Sequence, residues 1–378
     1  MLKIVADHKI PFLAGVLEPF AKVVYLPGAR ISRRDLMDAD ALVVRTRTRC
    51  NAELLEGTGV KIIASATIGH DHIDQEYCER KGIAWHSAPG CNSASVVQYM
   101  ASALAMIAKK TGMKPGELTM GIIGAGNVGK KVIALCKTLG IRALVNDPPR
   151  KRAEGTGDFC SLTKLIENSD IVTLHVPLTR GGPDKTFHMA DEGFFGNMKP
   201  NCWVINTSRG EVVDSEALKT ALRKQRIKGA ILDVWENEPL IDLELLNLIF
   251  LGTPHIAGYS ADGKANGTAM SVQALSRFFG FGLDNWRPVN LPEGPLAVVT
   301  PAYLPKSETG LFIDLSLQAY PIAHDDAALR SNPADFEKLR EEYPIRREPP
   351  AMKVNVTSLS PEHRDFVRRL GYEISEGG

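Results

Sequence analysis

Three apolar runs in the middle of the chain each give way to a polar run. Between them the polar runs supply an arginine, a glutamate and a histidine. The first is Asn206-Thr207-Ser208-Arg209-Gly210, the second Asp233-Val234-Trp235-Glu236-Asn237-Glu238-Pro239, and the third Thr253-Pro254-His255-Ile256-Ala257-Gly258-Tyr259. These side chains suit hydride transfer between a 2-hydroxy acid and a nicotinamide. The planar guanidinium of Arg209 can bond both oxygens of a carboxylate and polarise the adjoining carbonyl. The imidazole of His255 has the intrinsic acidity to exchange a proton with a carbinol oxygen. Glu238 is the carboxylate that would orient the imidazole and stabilise its charged form. Each residue alone has a plainer explanation. Histidine after proline is usually a turn residue, arginine after serine a helix-start or ion-pair residue, and glutamate before proline a loop closer. Their joint placement behind a nucleotide-binding motif favours the catalytic explanation.

That motif is Gly121-Ile122-Ile123-Gly124-Ala125-Gly126-Asn127-Val128-Gly129, which sets G-x-G-x-x-G directly after an apolar strand. Gly124 permits the tight turn, Gly126 lets a pyrophosphate approach the backbone, and Gly129 lets helix and strand pack closely. A helix over Lys130 to Leu139 follows and would turn its amino end toward the phosphates. The next strand runs to Asp147, about 18 residues beyond Gly129, where an acid binds ribose hydroxyls and repels the extra phosphate of NADP. Arg150 and Arg152 follow closely and leave some NADP tolerance open. Glycines alone are a weak signal; strand, glycines, helix and strand-end acid together are a strong one. The cofactor expected is NAD.

Positioning these groups takes parallel sheets. Strands are expected at Lys3–Ala6, Ala41–Val44, Lys61–Thr67, Ile83–His86, Thr119–Ile123, Arg142–Asp147, Ile171–Pro177, Cys202–Thr207, Gly229–Trp235 and Leu248–Gly252. Many are nearly all apolar, as strands covered on both faces are. Helical patterns between them imply βαβ crossovers. Ser93–Lys110 reads as one long helix between an N-terminal α/β domain and the nucleotide domain. Asn290 to Pro305 is proline-rich and reads as a linker, followed by a charged helix at Asp335–Tyr343.

The 378 residues are too many for one ordinary core. A hydrophobic fraction of 44%, a charged fraction of 24% and a net charge of +1 describe a globular chain with no global field for nucleic acid or membrane. Cys50, Cys78, Cys91, Cys136, Cys160 and Cys202 form no C-x-x-C pair and read as reduced thiols, so neither a disulfide framework nor a metal site is expected. With no signal peptide and no apolar run of spanning length, a cytoplasmic location is expected.

The chain resembles the D-isomer-specific 2-hydroxyacid dehydrogenases from Lys3 to Arg287. The marks are Gly69-His-Asp-His-Ile-Asp74, Gly124–Gly129, Asp147, His175-Val-Pro177, Thr207-Ser-Arg-Gly210, Gly229-Ala-Ile-Leu-Asp233, Glu238-Pro239 and Thr253-Pro-His255. The resemblance implies that Arg209 binds substrate, that Glu238 pairs with His255, and that His255 is the acid–base residue. It implies that Asp233 meets the nicotinamide end and that Val176, Thr207, Ser208 and Gly258 line the cofactor with Gly124, Gly126, Asn127, Val128 and Gly129. It also implies a Rossmann-type α/β domain, residues 93–258, inserted in a flavodoxin-like substrate domain made of residues 1–92 and 259–286. His70 interrupts the usual Gly-Asp-His form, and Gln98 stands where relatives often carry Glu.

One branch of that family fits more closely. The pointers are Val44-Arg-Thr46, Ser65-Ala-Thr67, Pro89-Gly-Cys-Asn92 and Gly258-Tyr-Ser260, with Tyr320-Pro-Ile-Ala-His-Asp-Asp326, Leu329-Arg330, Phe336-Glu-Lys-Leu-Arg340 and Arg346-Arg-Glu348 in the tail. The match implies that residues 287–378 form a small α+β domain making a homodimer. It also implies a phosphorylated 2-hydroxy acid substrate contacted by Thr46, Thr67 and Tyr259. A phosphate has an independent rationale: an extended chain over Val43–Arg49 would put Arg45, Arg47 and Arg49 on one face and Thr46 and Thr48 on the other. A solvated strand end explains the same run equally well. Arg346-Arg347 reads as a dimer contact ahead of an anion site. Two other readings stand beside this one: another member of the family, such as a phosphoglycerate dehydrogenase, and an NAD-sensing corepressor-like protein that binds a peptide and turns over little.

Overall fold

The apolar runs assemble into parallel sheets in the computed structural model, which describes residues 1–155, 157–294, 298–301 and 307–376. Contacts divide the chain into two units: Met1–Ser93 with Tyr259–Pro292, and Ala94–Gly258 with the tail from Glu293 onward.

The first unit holds β1 (Lys3–Asp7), β2 (Lys22–Leu26), β3 (Ala41–Val44), β4 (Ile62–Ser65) and β5 (Ala84–His86), ordered β2-β1-β3-β4-β5 with every pairing parallel. That 2-1-3-4-5 order is flavodoxin-like. Strand alternation sends Ile4, Ala6, Val43 and Ala64 to one face, against Leu13, Leu17 and Val272 and Leu275 of the helix Ala261–Phe279. Val5, Leu42, Val44 and Ile63 go to the other face, against Leu36, Leu55, Tyr77 and Cys78. Two-sided coverage is why these strands read as unbroken apolar runs. In the same helix a Cβ on Gly267 would lie 2.3 Å from the Ala66 carbonyl oxygen, so glycine is what lets the helix settle on the end of β4.

The second unit holds β6 (Thr119–Ile123), β7 (Arg142–Asn146), β8 (Ile171–Leu174), β9 (Trp203–Asn206), β10 (Gly229–Leu232) and β11 (Leu251–Gly252). Their order is β7-β6-β8-β9-β10-β11, again all parallel. The chain reverses direction across the sheet between β6 and β8, which creates the crevice where open α/β sheets bind nucleotides. The third strand of a Rossmann half is reduced to one bridge, Val145 to Phe159. The long helix runs Ser93–Thr111, and the helix after the glycines starts at Asn127, earlier than the expected Lys130.

Several expected strands overran their true ends, at Thr67, Pro177, Thr207 and Trp235. Residues such as Val234 and Trp235 are apolar because they are packed, not because they are paired. Leu248 closes the helix Leu243–Leu248.

The tail carries β12 (Val298–Val299), β13 (Lys353–Asn355) and β14 (Glu373–Ser375), a small parallel sheet, with helices Glu308–Ala319, Ile322–Ser331, Phe336–Glu341 and Pro361–Arg369. Of the expected linker, 295–297 and 302–305 lie outside the described residues, and Val298–Val299 is strand. The tail shares a core with the nucleotide-binding sheet: Leu329 and Phe336, both fully buried, pack in one cluster with Leu232, Trp235 and Leu246.

Candidate active site

The glycine turn is shaped as the motif requires. Gly124 has φ +90°, and a Cβ there would stand 2.5 Å from the His175 carbonyl oxygen and 2.9 Å from Val176 Cγ1. A Cβ on Gly129 would stand 2.0 Å from the Gly124 carbonyl oxygen. A Cβ on Gly126 meets nothing within 4 Å, so this one glycine keeps open space. Gly126 caps the helix Asn127–Leu139 with no side-chain hydrogen bond, and Gly126 and Asn127 are exposed with Val128 half-buried beside them. The first N–H groups of that helix are left to a ligand, and an anionic pyrophosphate fits them.

Asp147 stands at the end of β7. One carboxylate oxygen accepts from the Ala125 N–H at 2.8 Å, and the other accepts from the Arg150 N–H at 3.0 Å. It therefore joins the glycine turn to the following helix, at the strand end where a ribose-binding acid was expected. The arginines that left NADP open are both engaged. Arg150 pairs with Glu154 and donates to the Ala125 carbonyl at 2.7 Å, and Arg152 pairs with Asp184.

Beyond β8, the half-buried His175 sets its ring between two hydroxyls, Thr173 Oγ1 at 3.0 Å and Thr207 Oγ1 at 3.3 Å. Burial holds its pKa down at about 3, so the ring is neutral. It ties Thr207, expected on the cofactor, to the loop that carries Val176. Ser208 turns its hydroxyl inward to Asn206 Oδ1 at 2.8 Å. The Asn206 side-chain amide donates to the Arg209 carbonyl at 2.9 Å, and Arg209 is half-buried with Nη1 on the Ser208 carbonyl at 2.8 Å.

β9, β10 and β11 are neighbours in the sheet, so their carboxyl ends bring the three polar runs side by side. His255 Nδ1 lies 2.7 Å from Glu238 Oε2, and Glu238 Oε1 accepts from the Trp235 N–H at 2.9 Å. Burial pushes the Glu238 carboxyl up, but the His255 charge, the hydrogen bond to His255 and the Trp235 N–H outweigh it, and the net shift is downward. Glu238 is thus held as a carboxylate on one ring nitrogen, which leaves Nε2 as the face for proton exchange. Gly210, next to Arg209, approaches the second run so closely that a Cβ would stand 1.9 Å from the Trp235 carbonyl carbon.

Asp233 is 1% exposed, and both of its oxygens serve the third run. Oδ1 accepts from Thr253 Oγ1 at 2.7 Å and from the Ile256 N–H at 2.8 Å, and Oδ2 accepts from the Ala257 N–H at 2.9 Å. This clamping role was not foreseen from the sequence. Burial drives its pKa up, against the His255 charge and those donors. Gly258, half-buried, closes the unit.

The residues expected on the substrate belong to the first unit. Thr46 is exposed in a turn after β3. Thr67 follows β4, with Oγ1 2.9 Å from Ser65 Oγ and 3.3 Å from the Gly69 carbonyl. Tyr259 is half-buried and Lys264 Nζ lies 4.8 Å from its ring centroid. The alternating arginine face does not form: Thr48 N–H returns to the Arg45 carbonyl at 3.4 Å, so the chain turns instead of extending. Arg45 pairs with Asp7 at 3.3 Å and Thr48 is buried on the Gly28 carbonyl, while Arg47 and Arg49 are exposed.

Two features were missed. His188 Nε2 lies 2.6 Å from Glu236 Oε1, making a second imidazole–carboxylate pair, and Glu236 Oε2 accepts from the Ser215 N–H at 3.0 Å. That pair closes the segment before Ala190 onto a helix start. Arg346, expected at a dimer contact, is only 6% exposed within its own chain and bonds the Ile256 and Ala257 carbonyls. No sequence signal marks either, because both depend on partners far along the chain.

Comparison with known proteins agrees with this geometry. Residues 98–257 match the D-isomer specific 2-hydroxyacid dehydrogenase family, NAD binding domain. A D-lactate dehydrogenase from Aquifex aeolicus, solved with NAD and lactic acid, superposes with a TM-score of 0.61 at 26% identity, over 75% of this chain and 96% of that one. Sheet order, glycine cradle and these matches define the class: an NAD-dependent D-2-hydroxyacid dehydrogenase. Within it, an erythronate-4-phosphate dehydrogenase of Bacteroides fragilis is 48% identical over 94% of this chain and 100% of its own length. One from Pseudomonas fluorescens is 41% identical over 97% and 98%. The chain belongs to the erythronate-4-phosphate dehydrogenase family.

Proposed function

We propose that the chain oxidises 4-phospho-D-erythronate to 2-oxo-3-hydroxy-4-phosphobutanoate with NAD, a step of pyridoxal phosphate synthesis. The reading rests on the 2.7 Å Glu238–His255 pair at the end of a nucleotide-binding sheet, in a chain alike over nearly its whole length to proteins of that name. NAD, held by the Gly124–Gly129 turn and Asp147, supplies the hydride acceptor. Arg209 grips the substrate carboxylate and fixes the direction of the C2–H bond; in the reverse reaction it polarises the ketone. His255 Nε2 takes the hydroxyl proton as the C2 hydrogen leaves with its electron pair, and Glu238 holds the resulting imidazolium. Asp233 contributes to the nicotinamide end through the loop it clamps, and Val176, Thr207, Ser208 and Gly258 line the cofactor. Thr46, Thr67 and Tyr259 contact substrate, and the exposed Arg47 and Arg49 offer charge to its phosphate.

We further propose a homodimer through the tail, residues 287–378, where the exposed apolar Val298 and Ile345 give a second copy surface to cover. The substrate unit is residues 1–92 with 259–286, and the nucleotide unit 93–258. A cytoplasmic location fits the free cysteines, and no helix among the described residues is long and apolar enough to cross a membrane. The test is formation of reduced cofactor with 4-phospho-D-erythronate, 3-phospho-D-glycerate and D-lactate in parallel. Preference for the first is expected; turnover of 3-phosphoglycerate with none of 4-phosphoerythronate would overturn the reading.

A further inference from the structure

We infer that Arg346, from the tail, is a positioning residue for proton transfer: its buried guanidinium holds the turn that aims the His255 imidazole. The inference rests on the reading of His255 as the acid–base residue.

His255 has φ +55°, a left-handed conformation that costs a non-glycine residue free energy and persists only where neighbours over-determine it. The two residues that follow are each held at both backbone groups by opposite charges. Asp233 takes their hydrogens, from Ile256 at 2.8 Å and Ala257 at 2.9 Å. Arg346 Nη2 serves their oxygens, at 3.1 Å for Ile256 and 2.6 Å for Ala257, and reaches Ser95 Oγ at 2.5 Å. Ser95 Oγ adds its own bond to the Ala257 carbonyl at 2.8 Å.

The guanidinium is fixed in turn. It lies 4.3 Å from the Tyr320 ring centroid and 5.7 Å from that of Tyr343. Both phenols donate to Asp325 Oδ2, at 2.6 and 2.9 Å. The tail also grips the strand leading into the turn and the helix before it: Gly252 N–H donates to Asp326 Oδ1 at 2.7 Å, and Arg330 donates to the Leu246 carbonyl, in the helix Leu243–Leu248, at 2.6 Å. The segment delivering His255 is therefore held by tail side chains before and after the histidine. A buried ion is weak evidence for stability, because desolvation offsets the attraction. What such an ion supplies here is direction: one nitrogen, Nη2, serves two carbonyls and a hydroxyl, while the guanidinium is held over two phenol rings, on which its flat face stacks as a compact ammonium does not.

The experiment uses the full-length chain with Arg346→Met and Arg346→Lys, each alone and combined with His255→Asn. Arg346→Met is expected to lower kcat on the order of 10- to 100-fold, as a misplacement of about 1 Å does. KM and reduced-cofactor affinity should stay within about threefold. Arg346→Lys should recover part of the loss. In the His255→Asn background neither change should lower kcat further, because residues acting as one unit are not additive. Amide exchange at Ile256 and Ala257 should accelerate in both variants, a readout that needs no turnover. Wild-type kcat and exchange in Arg346→Lys, or an equal loss with and without His255, would overturn the inference. If Arg346→Met does not fold, Arg346→Lys decides. A wild-type chain that reduces NAD with no 2-hydroxy acid refutes the proposed function instead, and the exchange measurement still judges the clamp.

Discussion

Replacing Gly210 by alanine places a methyl group where the second polar run passes. The added carbon would lie 1.9 Å from the Trp235 carbonyl carbon, 2.0 Å from its oxygen and 2.4 Å from the Glu236 nitrogen, all backbone atoms. Trp235 cannot retreat. It is 3% exposed, packed in the core, and its indole N–H is bonded to the Thr253 carbonyl at 2.9 Å. Ordinary contact therefore requires the two loops to part by about 1.5 Å. The same displacement separates Arg209 from Glu238 and, through the Glu238–His255 bond, from the imidazole. An overpacked site costs about 1–3 kcal/mol of stability. A misplacement of about 1 Å costs about 100-fold in the chemical step. Gly210→Ala should thus lose far more kcat than the fraction unfolded explains, with reduced-cofactor binding preserved because the glycine turn is untouched. The assay is kcat at a temperature well below the melting transition, with fluorescence titration of reduced cofactor. Gly116→Ala, whose Cβ meets nothing within 4 Å, serves as the inert comparison. Gly210→Ala with wild-type kcat and an unchanged melting temperature would refute the coupling of these loops.

Glu238→Gln should lower kcat about 100-fold or more, read in steady-state kinetics. It should also change stability with pH. The Glu238 pKa is lowered on folding from an ordinary 4.5, so its contribution is present above that value and is lost as pH falls below it. The stability difference between wild type and Glu238→Gln in urea should therefore shrink on acidification; a gap that widens would contradict the pairing. His188→Gln should keep near-wild-type kcat while His255→Gln loses it, which separates the two imidazole–carboxylate pairs. Asp147→Asn removes the charge and one of the two oxygens that accept the Ala125 and Arg150 N–H groups, so the ratio of kcat/KM for NAD over NADP should fall about tenfold; an unchanged ratio counts against the ribose assignment. Phe336→Ala should cost about 3–5 kcal/mol in thermal or urea unfolding, as in any full core. A loss below about 1 kcal/mol would mean that the tail is an appended module after all.

What could be read from the sequence was whatever is encoded locally. The runs Ala41–Val44 and Thr119–Ile123 match strands residue for residue, because two-sided burial leaves an unbroken apolar signature. The glycine turn was legible because each glycine answers a separate steric demand. β2 escaped notice because it is an edge strand with four of its five residues half-buried, so its pattern is diluted. The two- and three-residue strands of the tail fall below any periodic signal. The arginine alternation after β3 failed for another reason: alternation presumes an extended chain, and the Asp7 carboxylate and the Gly28 carbonyl drew Arg45 and Thr48 into a turn.

The same contrast explains why the catalytic candidates were visible and their supports were not. Arg209, Glu238 and His255 stand at strand ends, and the end of an apolar run marks itself. Asp233 also stands at a strand end, but its work is to hold residues 253–257, which follow a different strand. Arg346 lies about 90 residues beyond the turn it grips, across a proline-rich stretch that reads as a boundary. A domain boundary drawn from composition separates what the folded chain joins. With Leu329 and Phe336 in the core beneath the sheet, and Arg346 on the carbonyls that follow His255, the tail is part of the frame that holds His255. Relatives lacking such a tail must hold that turn by other means. A tail exchanged between members of this family should therefore alter kcat before it alters cofactor affinity.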